Sequence, residues 1–421
     1  MTTKNNIPAG YKDSAVGVIP QEWEVKRLVD LCQNTGDYGI NAPSVPYRED
    51  LPTYLRITDI DGWGKFIETD KVSVDNPNSS QFILREGDIV FARTGATVGK
   101  TYLYDSKDGQ LVFAGFLIRF TPNSNKAIPY YIKASTETAS YWNWVRIISQ
   151  RSGQPGINSV EYGAMKLAVP PLAEQRKIAE ILGVWDEAIE KQSRLIEKLE
   201  LRKRALTQHL LTGRTRLPGF TTPWQKVKLG EIGKFDKGVG VPKEKIVSEG
   251  CKAITYGEIY TKYDYVIKDF ASYIDSDTAQ TSKQISTGAI LFAGSGETLE
   301  DIGKCVAFID NDKAYAGGDI IIFNPSVEVD SLVLSYILNS PVAIAQKRRY
   351  GQGHSVVHIY QKDLARIEFE LPSIPEQKAI AEVLTAADNE ISTHRKKLDA
   401  LRLQKRGLMQ QLLTGKTRVK V

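Results

Sequence analysis

The sequence predicts an α+β protein in which two mixed α/β globular units are separated by two long antiparallel coiled-coil helices, an internal pseudo-two-fold repeat. Three observations support this fold class. Residues 169–216 align without a gap with residues 371–418, at an offset of 202. Each aligned segment has one apolar stripe at three- and four-residue steps, which is typical of an amphipathic helix. Short β-branched and aromatic runs bounded by Gly, Asn and Asp fill the intervals between them.

The two aligned segments belong to a longer repeat. Both contain an EQ pair near the start and end on LLTG, at Gly213 and Gly415. Outside them, GDIVFARTG from Gly87 is similar to GAILFAGSG from Gly288. Because the similarity extends over both intervals, the chain is predicted to be two halves of one plan, each a variable globular unit followed by a well-matched helical unit.

Each aligned segment predicts a long helix. Proline precedes each predicted helix, at Pro170-Pro171 and Pro372, and glycine follows it, at Gly213 and Gly415. These are ordinary start and stop signals of helices. A helix of about 38 residues is roughly 57 Å long. An apolar stripe of that length must be buried, so each helix is predicted to pair with the other as an antiparallel coiled coil. The alternative is two separate helices, each lying on its own globular unit.

The repeat also sets the predicted domain boundaries. We expect a globular unit over residues 1–165, a helical repeat over 166–217, a second globular unit over 218–366 and a second helical repeat over 367–421. Strands and helical stretches alternate with turn signals inside each globular unit. In chain order, these predicted elements are Asp88–Arg93 (strand), Leu111–Phe120 (strand), Tyr130–Arg151 (helical), Ala289–Phe292 (strand), Ile320–Phe323 (strand) and Ser331–Arg349 (helical).

Composition excludes several classes of protein. Of 421 residues, 42% are hydrophobic and 25% are charged, which is close to average usage for globular proteins. The sequence lacks both an apolar run of roughly 18 residues and a signal-peptide core, so a cytoplasmic location is expected. Cys32, Cys251 and Cys305 have no CxxC spacing, which argues against a structural zinc or a disulfide framework. We therefore expect no metal site and no cofactor in this chain.

The charge distribution permits nucleic acid as a partner without requiring it. The net charge is +5, a modest excess. The excess lies in the helical segments, where residues 166–217 have 11 basic and 7 acidic side chains and residues 367–421 have 10 and 7. Most of these charges, taken singly, are expected on solvated helix faces.

Two glycine-rich segments are similar to catalytic motifs but lack residues that those motifs need. The P-loop pattern GxxxxGK[ST] that would end at Lys100-Thr101 requires glycine where Thr94 stands. The segment FAGSG at 292–296 resembles the S-adenosylmethionine loop of amino-methyltransferases, but the first unit reads FARTG at the matching place. The chain also lacks an Asn/Asp-Pro-Pro-Tyr/Phe tetrapeptide. Neither nucleotide hydrolysis nor methyl transfer is predicted.

Two variable units, each followed by a near-identical helical segment with the PPL, EQ and LLTG motifs, resemble the specificity subunit of a Type I restriction–modification system. The opening YKDSAVGVIPQEWEVKRL (11–28) is similar to the usual start of such subunits. The resemblance covers essentially the whole chain. It implies that each globular unit is a target-recognition domain that reads one half of a bipartite DNA site, and that the helices hold the half-sites at a fixed spacing.

The resemblance also implies the partners. These are double-stranded DNA, two modification (methyltransferase) subunits docked on the helices, and restriction subunits with endonuclease and translocase activity. No membrane is expected among the partners. S-adenosylmethionine is expected in the modification subunit, so the chain itself is expected to be non-catalytic. Two alternatives stay open: a self-sufficient DNA methyltransferase, which the FAGSG segment suggests, and a specificity-like scaffold without a restriction partner.

Two loops in each globular unit have the residue types that bind DNA. Hydroxyl groups, Arg and Lys contact phosphates, whereas Arg, Lys, Asn, Gln and His read base edges. The alternative is that the loops are plain turns whose glycines serve the backbone. In the first unit the predicted DNA-binding residues are Arg93, Thr94, Thr97, Lys100, Arg151, Ser152, Gln154, Asn158 and Ser159. In the second unit they are Ser295, Lys304, Lys347, Arg348, Arg349, Gln352, His354 and Ser355. His354 and His358 are interpreted as polar surface or DNA-facing residues rather than as metal ligands.

Overall fold

The computed structural model describes residues 7–353 and 356–420. These residues form two compact units. The first consists of residues up to 193 together with residues from 396 onward, and the second consists of residues 194–395. Each unit therefore contains one globular part and one half of each long helix.

The first unit is built of short strands followed by helices. Its strands are β1 (Tyr11–Lys12), β2 (Ile19–Pro20), β3 (Glu24–Arg27), β4 (Asp37–Tyr38), β5 (Val45–Pro46), β6 (Thr53–Leu55), β7 (Val72–Ser73), β8 (Ile89–Ala92), β9 (Thr101–Leu103), β10 (Leu111–Phe113), β11 (Leu117–Phe120) and β12 (Lys166–Val169). Its helices are α1 (Pro129–Ser135), α2 (Ala139–Ile148), α3 (Ser159–Gly163) and the first half of α4 (Leu172–Leu211). Two four-stranded sheets, ordered β4-β11-β8-β9 and β10-β6-β7-β5, form the globular part.

The second unit repeats this plan with its own details. Its strands are β13 (Gln225–Lys228), β14 (Gly233–Lys237), β15 (Ile246–Val247), β16 (Cys251–Ile254), β17 (Ser272–Ile274), β18 (Lys283–Gln284), β19 (Ile290–Ala293), β20 (Ser295–Gly296), β21 (Cys305–Ala307), β22 (Ala314–Ala316), β23 (Ile320–Pro325), β24 (Val357–His358) and β25 (Glu368–Leu371). Its helices are α5 (Tyr256–Thr261), α6 (Ser276–Thr281), α7 (Ser331–Leu338), α8 (Pro341–Tyr350), α9 (Gln361–Leu364) and the first half of α10 (Ile374–Leu412). The main sheets are ordered β14-β23-β19-β21 and β15-β17-β16-β22-β18.

One fully buried strand organises the core of each unit. In β8, Ile89 and Phe91 pack into one cluster of buried residues, while Val90 and Ala92 pack into another. The strand β19 does the same, since Ile290 lies in one cluster and Leu291 in the other. Side chains alternate between the two faces of a strand, so both strands have apolar residues at every position because both of their faces are covered.

The two long helices confirm the sequence prediction. α4 has 40 residues and α10 has 39. Within the second unit their halves run antiparallel, because Lys203 Nζ lies 2.5 Å from Asp388 and Arg395 lies 2.6 Å from Glu200. Within the first unit, Lys405 Nζ lies 2.7 Å from Asp186. Pairing as a coiled coil over the whole length of the helices stays a prediction.

The EQ pair of each repeat is a buried hydrogen-bonding centre. Gln175 accepts from the amide of Ile128 at 2.9 Å and donates to the carbonyl of Pro170 at 2.9 Å. Gln377 makes the equivalent bonds with Asp330 and Pro372. Both glutamines are 1% exposed, and buried polar groups need such partners. The motif therefore recurs because it fastens the start of each long helix to the globular part of its unit.

Three predicted runs are each divided in the structure, and one of them, Ser331–Arg349, forms α7 and α8. Leu111–Phe120 forms β10 and β11 with a turn between them. Tyr130–Arg151 forms α1 and α2, because Thr138 accepts a hydrogen bond from the amide of Tyr141 and so begins a new helix. Of the helices within residues 7–353 and 356–420, none is long and apolar enough to cross a lipid bilayer.

Candidate nucleic-acid interface

The two loops predicted to bind DNA lie against each other in the first unit. We call residues 93–100 and 149–158 loop pair 1. Thr94 forms a β-bridge with Gly156. The amide of Ile157 donates to the carbonyl of Arg93 at 2.9 Å, and the amide of Gly95 donates to the carbonyl of Pro155 at 2.9 Å. Two loops more than fifty residues apart in sequence thus form one surface.

The second unit contains the equivalent arrangement. We call residues 294–304 and 351–359 loop pair 2, of which 354 and 355 are not described. Strands β20 and β24 join the two loops, with Ser295 opposite His358. The amide of Ile359 donates to the carbonyl of Gly294 at 3.0 Å, as Ile157 does to Arg93 in the first unit. The structure therefore brings the two predicted loops together in both units.

Buried side chains hold loop pair 1 rigid from below. The Tyr162 hydroxyl accepts from the amide of Gly99 at 3.1 Å and donates to the carbonyl of Ala92 at 2.8 Å. The Tyr141 hydroxyl donates to the carbonyl of Gly99 at 2.7 Å. Gly99 has a φ of +89°, and a Cβ there would lie 2.7 Å from Val145, so only glycine fits. The loop is therefore fixed before any ligand binds.

Lys347 performs the same task in loop pair 2, so its prediction as a DNA-binding residue is wrong. The side chain is only 1% exposed, and its Nζ donates to the carbonyl of Gly303 at 2.6 Å. Gly303 matches Gly99, so Lys347 takes the place of the Tyr141 hydroxyl. Burial lowers the pKa of Lys347, because an apolar surrounding disfavours the charged form. An ammonium group so placed cannot reach DNA.

Three further predicted residues are directed inward. Ser295 is buried, and its hydroxyl lies 3.0 Å from Nδ1 of His358. Lys100 Nζ donates to the carbonyl of Ile60 at 2.8 Å, and Lys304 Nζ donates to the carbonyl of Tyr263 at 2.7 Å. Burial also lowers the pKa of Lys304. All three side chains have hydrogen-bond partners within the chain, and their contact with DNA stays a prediction.

Arg93 is the most prominent polar side chain of loop pair 1. Its guanidinium lies 4.7 Å from the centre of the Tyr38 ring, a cation–π distance that fixes the direction of the side chain. The Tyr38 hydroxyl accepts from the amide of Ser159 at 3.1 Å. Sequence reasoning missed Tyr38, since a tyrosine far from both loops gives no signal of this kind. Gln154 and Ser152 lie exposed in the second loop of the pair.

The remaining predicted residues of loop pair 1 have local partners. Arg151 contacts both carboxylate oxygens of Glu161, at 2.6 and 2.7 Å. Asn158 accepts from the amide of Glu161 at 2.9 Å and so caps α3. The Thr97 hydroxyl donates to the carbonyl of Thr94. Arg151 and Asn158 are exposed, so both lie at the surface where DNA would bind even though each has a structural partner.

In the second unit, two exposed residues among those predicted to bind DNA lie at the end of α8 and just after it. These are Arg349 and Gln352. Arg348 is exposed as well but contacts Glu300 at 2.7 Å. His354 and Ser355, also predicted to bind DNA, lie outside the described residues. Of the three predicted cations on α8, Arg349 is thus the one that is exposed and makes no ion pair with the described residues.

A groove of about 1470 Å³ beside α8 contains cations that the sequence did not single out for DNA binding. It lies within the second unit, between α8, the β13–β25 sheet and the second half of α4. Its lining includes Arg349 and seven further basic side chains: Lys203, Arg204, Arg214, Lys226, Lys268, Arg366 and Arg395. Their sequence signal is weak, because these cations come from several separate segments.

Comparison with protein families identifies the chain. The model of the Type I restriction modification DNA specificity domain matches residues 20–201 and residues 221–403. This chain belongs to that family. Each match covers one globular part and most of one long helix, so the two copies of the family domain are the two halves of the internal repeat. The specificity subunit is thus a tandem of two recognition domains.

Relatives of similar length support the assignment over the whole specificity subunit. It is 27% identical over 433 residues to the specificity subunit of the type I restriction enzyme MjaX of Methanocaldococcus jannaschii, covering 97% of each chain. It is 24% identical over 416 residues to the MjaVIII specificity subunit of the same organism, covering 96% of this chain and 94% of the relative.

Solved structures show the same fold. The S subunit of a Type I restriction–modification system from M. genitalium matches with a TM-score of 0.58 and 14% identity, over 98% of this chain and 99% of that one. A chain from a study of assembly and conformational transition of a type I R-M system matches with a TM-score of 0.57 and 16% identity, over 95% and 99%.

Membership of this family makes the specificity subunit a non-catalytic recognition protein, and a self-sufficient methyltransferase is not favoured. The structure of the P-loop-like segment and of the FAGSG segment agrees with a non-catalytic role. The segment from Gly95 leads into strand β9, whereas a P-loop leads into a helix. In FAGSG, β19 turns directly into β20 and the serine is buried.

Proposed function

We propose that each recognition domain reads one half of a bipartite DNA site through its loop pair. The observation that supports this most strongly is the recurrence of the same two-loop surface in both units, with Arg93 in loop pair 1 and Arg349 at the end of α8, two residues before the second loop of loop pair 2. Because Arg can contact a phosphate or read guanine, and the two loop pairs differ in sequence, the two half-sites are expected to differ.

The long helices are proposed to set the gap between the half-sites. Half-sites on one face of a duplex lie about 34 Å apart, one helical turn. Helices of 40 and 39 residues are roughly 60 Å long, which is sufficient for such a spacing. The gap would then be a property of the helices rather than of the loops.

The same helices are proposed to dock two modification subunits. Leu201 on α4 and Leu403 on α10 occupy equivalent positions of the repeat and are 63% and 68% exposed. Large apolar side chains this exposed on charged helices are candidates for a partner interface. Two equivalent leucines supply one such position for each of two identical partners, so a complex of one specificity subunit with two modification subunits follows.

The chemistry of the complex is assigned to the partners. We propose that the modification subunit binds S-adenosylmethionine and flips the target base, since methylation of a base requires its removal from the stack. Restriction subunits would then add endonuclease and translocase activity to this core. This chain would bind no cofactor, and the complex would act in the cytoplasm.

Coexpression with the cognate modification subunit in a host without DNA methylation tests the proposal. Mapping of N6-methyladenine should reveal two unlike half-sites separated by a fixed gap, and native mass spectrometry should give one specificity subunit to two modification subunits. Methylation by the chain alone, or a continuous motif, would contradict it. Leu201→Glu should lower the ratio to one-to-one, whereas Ile309→Glu, at another exposed apolar residue, should not.

A further inference from the structure

An aromatic side chain from each recognition domain lies on the cations of a long helix. In the first unit, the Trp63 ring lies 4.6 Å from the guanidinium of Arg402 and 5.6 Å from that of Arg406, both on α10. In the second unit, Lys203 of α4 lies 5.4 Å from the ring of Tyr265. Each unit thus has an aromatic side chain on a cation of a long helix. The cations themselves are not equivalent, because Lys203 corresponds in the repeat to Lys405 rather than to Arg402 or Arg406.

The loop that presents Trp63 is tightly built. Asp61 accepts from the amides of Trp63 and Lys65, at 2.7 and 2.9 Å. Gly64 has a φ of +70°, and a Cβ there would lie 2.5 Å from the carbonyl of Thr101. A loop this constrained holds its aromatic side chain in one place, which a mobile surface loop would not.

The helical side of the contact is equally well defined in the second unit. Lys203 Nζ is 2.5 Å from Asp388, and the Tyr336 hydroxyl donates to Asp388 at 3.1 Å. Tyr265 stacks on Tyr336 with ring centres 3.7 Å apart. In the first unit, Lys405 contacts Asp186, which also accepts from the Tyr130 hydroxyl. The two ion pairs are equivalent in the repeat, and in each unit a tyrosine of the recognition domain also donates to the aspartate.

Each contact is tied to a loop pair by a lysine. Lys100, at the end of the first loop of loop pair 1, donates to the carbonyl of Ile60, directly before the Trp63 loop. Lys304 of loop pair 2 donates to the carbonyl of Tyr263, two residues before Tyr265. The DNA-facing loop, the lysine, the aromatic residue and the helix therefore form one continuous connection within each unit.

We infer that Trp63 and Tyr265 are positioning residues that fix each recognition domain on its helix and thereby fix the gap between half-sites that the complex accepts. This inference rests on the proposed function. A recognition domain that can rotate about its helix would accept half-sites whose gap is one base pair shorter or longer than the cognate gap. Lys100 and Lys304 act through these residues rather than by contacting DNA.

The test uses the complete complex with the modification subunit. Methylation rates are measured on duplexes with the two half-sites at the cognate gap and at gaps one base pair shorter and longer. The quantity compared is the ratio of the methylation rate at a wrong gap to the rate at the cognate gap. Trp63→Ala and Tyr265→Ala should each raise this ratio by about threefold or more, a factor in keeping with loss of one cation–π contact. Trp63→Phe should keep the wild-type ratio.

Matched controls separate positioning from general damage. Tyr47→Ala removes an aromatic side chain of exposure similar to that of Trp63, and Tyr256→Ala removes one that is more exposed than Tyr265. Both variants should leave the ratio unchanged. Lys100→Met should raise the ratio without lowering the salt dependence of DNA binding. If Trp63→Ala does not fold, Trp63→Leu, which keeps the apolar bulk without the ring, takes its place. A folded Trp63→Ala or Trp63→Leu complex with wild-type gap selectivity overturns the inference, whereas a wild-type complex without a split motif overturns the proposed function instead.

Discussion

The guanidinium of Arg216 contacts Glu376 through two hydrogen bonds, with Nε 2.6 Å from Oε1 and a terminal nitrogen 2.7 Å from Oε2. Glu376 is 1% exposed and also accepts from the indole of Trp224 at 3.1 Å. Arg418 and Glu174 form the same contact in the first unit. Within each unit, the segment that follows one long helix is thus fastened to the buried start of the other.

Removal of Arg216 should destabilise the second unit. Arg216→Met leaves a buried carboxylate with the indole as its remaining side-chain donor, and loss of one partner of a buried ion pair costs about 3 kcal/mol. The free energy of unfolding, measured by urea titration, should fall by that order. Arg348→Met breaks an exposed pair with Glu300 and should cost under about 1 kcal/mol. Equal losses of unfolding free energy in the two variants would contradict a buried ion pair between Arg216 and Glu376.

Lys347 should affect stability rather than DNA binding. Lys347→Ala removes a buried aliphatic stem and leaves the carbonyl of Gly303 without this donor, so unfolding should become easier by about 2–4 kcal/mol. Arg349→Ala, two residues further on and exposed, should change stability by less than about 0.5 kcal/mol. A stable Lys347→Ala variant with weakened DNA binding would show that the lysine does reach DNA.

Arg349 should contribute a phosphate contact in the assembled complex. Its replacement by Ala should weaken binding to all sequences similarly and lower the slope of log Kobs against log salt by about 0.9. Fluorescence anisotropy at several salt concentrations measures this slope. Lys107→Ala, at a highly exposed lysine in a turn of the first unit, serves as the control and should leave it unchanged. An unchanged slope for Arg349→Ala would remove it from the interface.

The three thiols should differ in reactivity. Burial raises the pKa of Cys32 to about 12 and that of Cys305 to about 11, whereas Cys251 is partly exposed. Iodoacetamide at pH 8 should therefore label Cys251 first in the folded chain, as read by peptide mass spectrometry. Above pH 9 the unfolded chain loses thiol protons that the folded chain keeps, so these two thiols lower stability as pH rises. Rapid labelling of Cys305 at pH 8 would contradict its burial.

The repeat made much of the architecture predictable. A gapless match of residues 169–216 with 371–418 predicted both long helices, because helical periodicity and end signals are local properties of the sequence. The recurrence of the loops in both halves suggested that they lie together in each unit. The geometry of the loop pairs could not be predicted, since it depends on bridges such as that between Thr94 and Gly156.

The three lysines among the predicted site residues share a feature that the sequence does not reveal. Lysine is normally exposed, and Lys100, Lys304 and Lys347 are predicted from their loops to face DNA. Each donates to a backbone carbonyl within its unit. Which lysines point inward depends on carbonyl groups left free by distant loops, and one sequence does not reveal these. The buried Glu376 is similar, because its partner Arg216 is 160 residues away.

Methylation mapping of the complex formed with Arg93→Ala/Gln154→Ala, a change confined to loop pair 1, tests whether each loop pair reads one half-site. One half-site should lose sequence preference, while the other half-site and the gap between them stay as in the wild type. Equal loss of preference in both half-sites, or an unchanged motif, would contradict it.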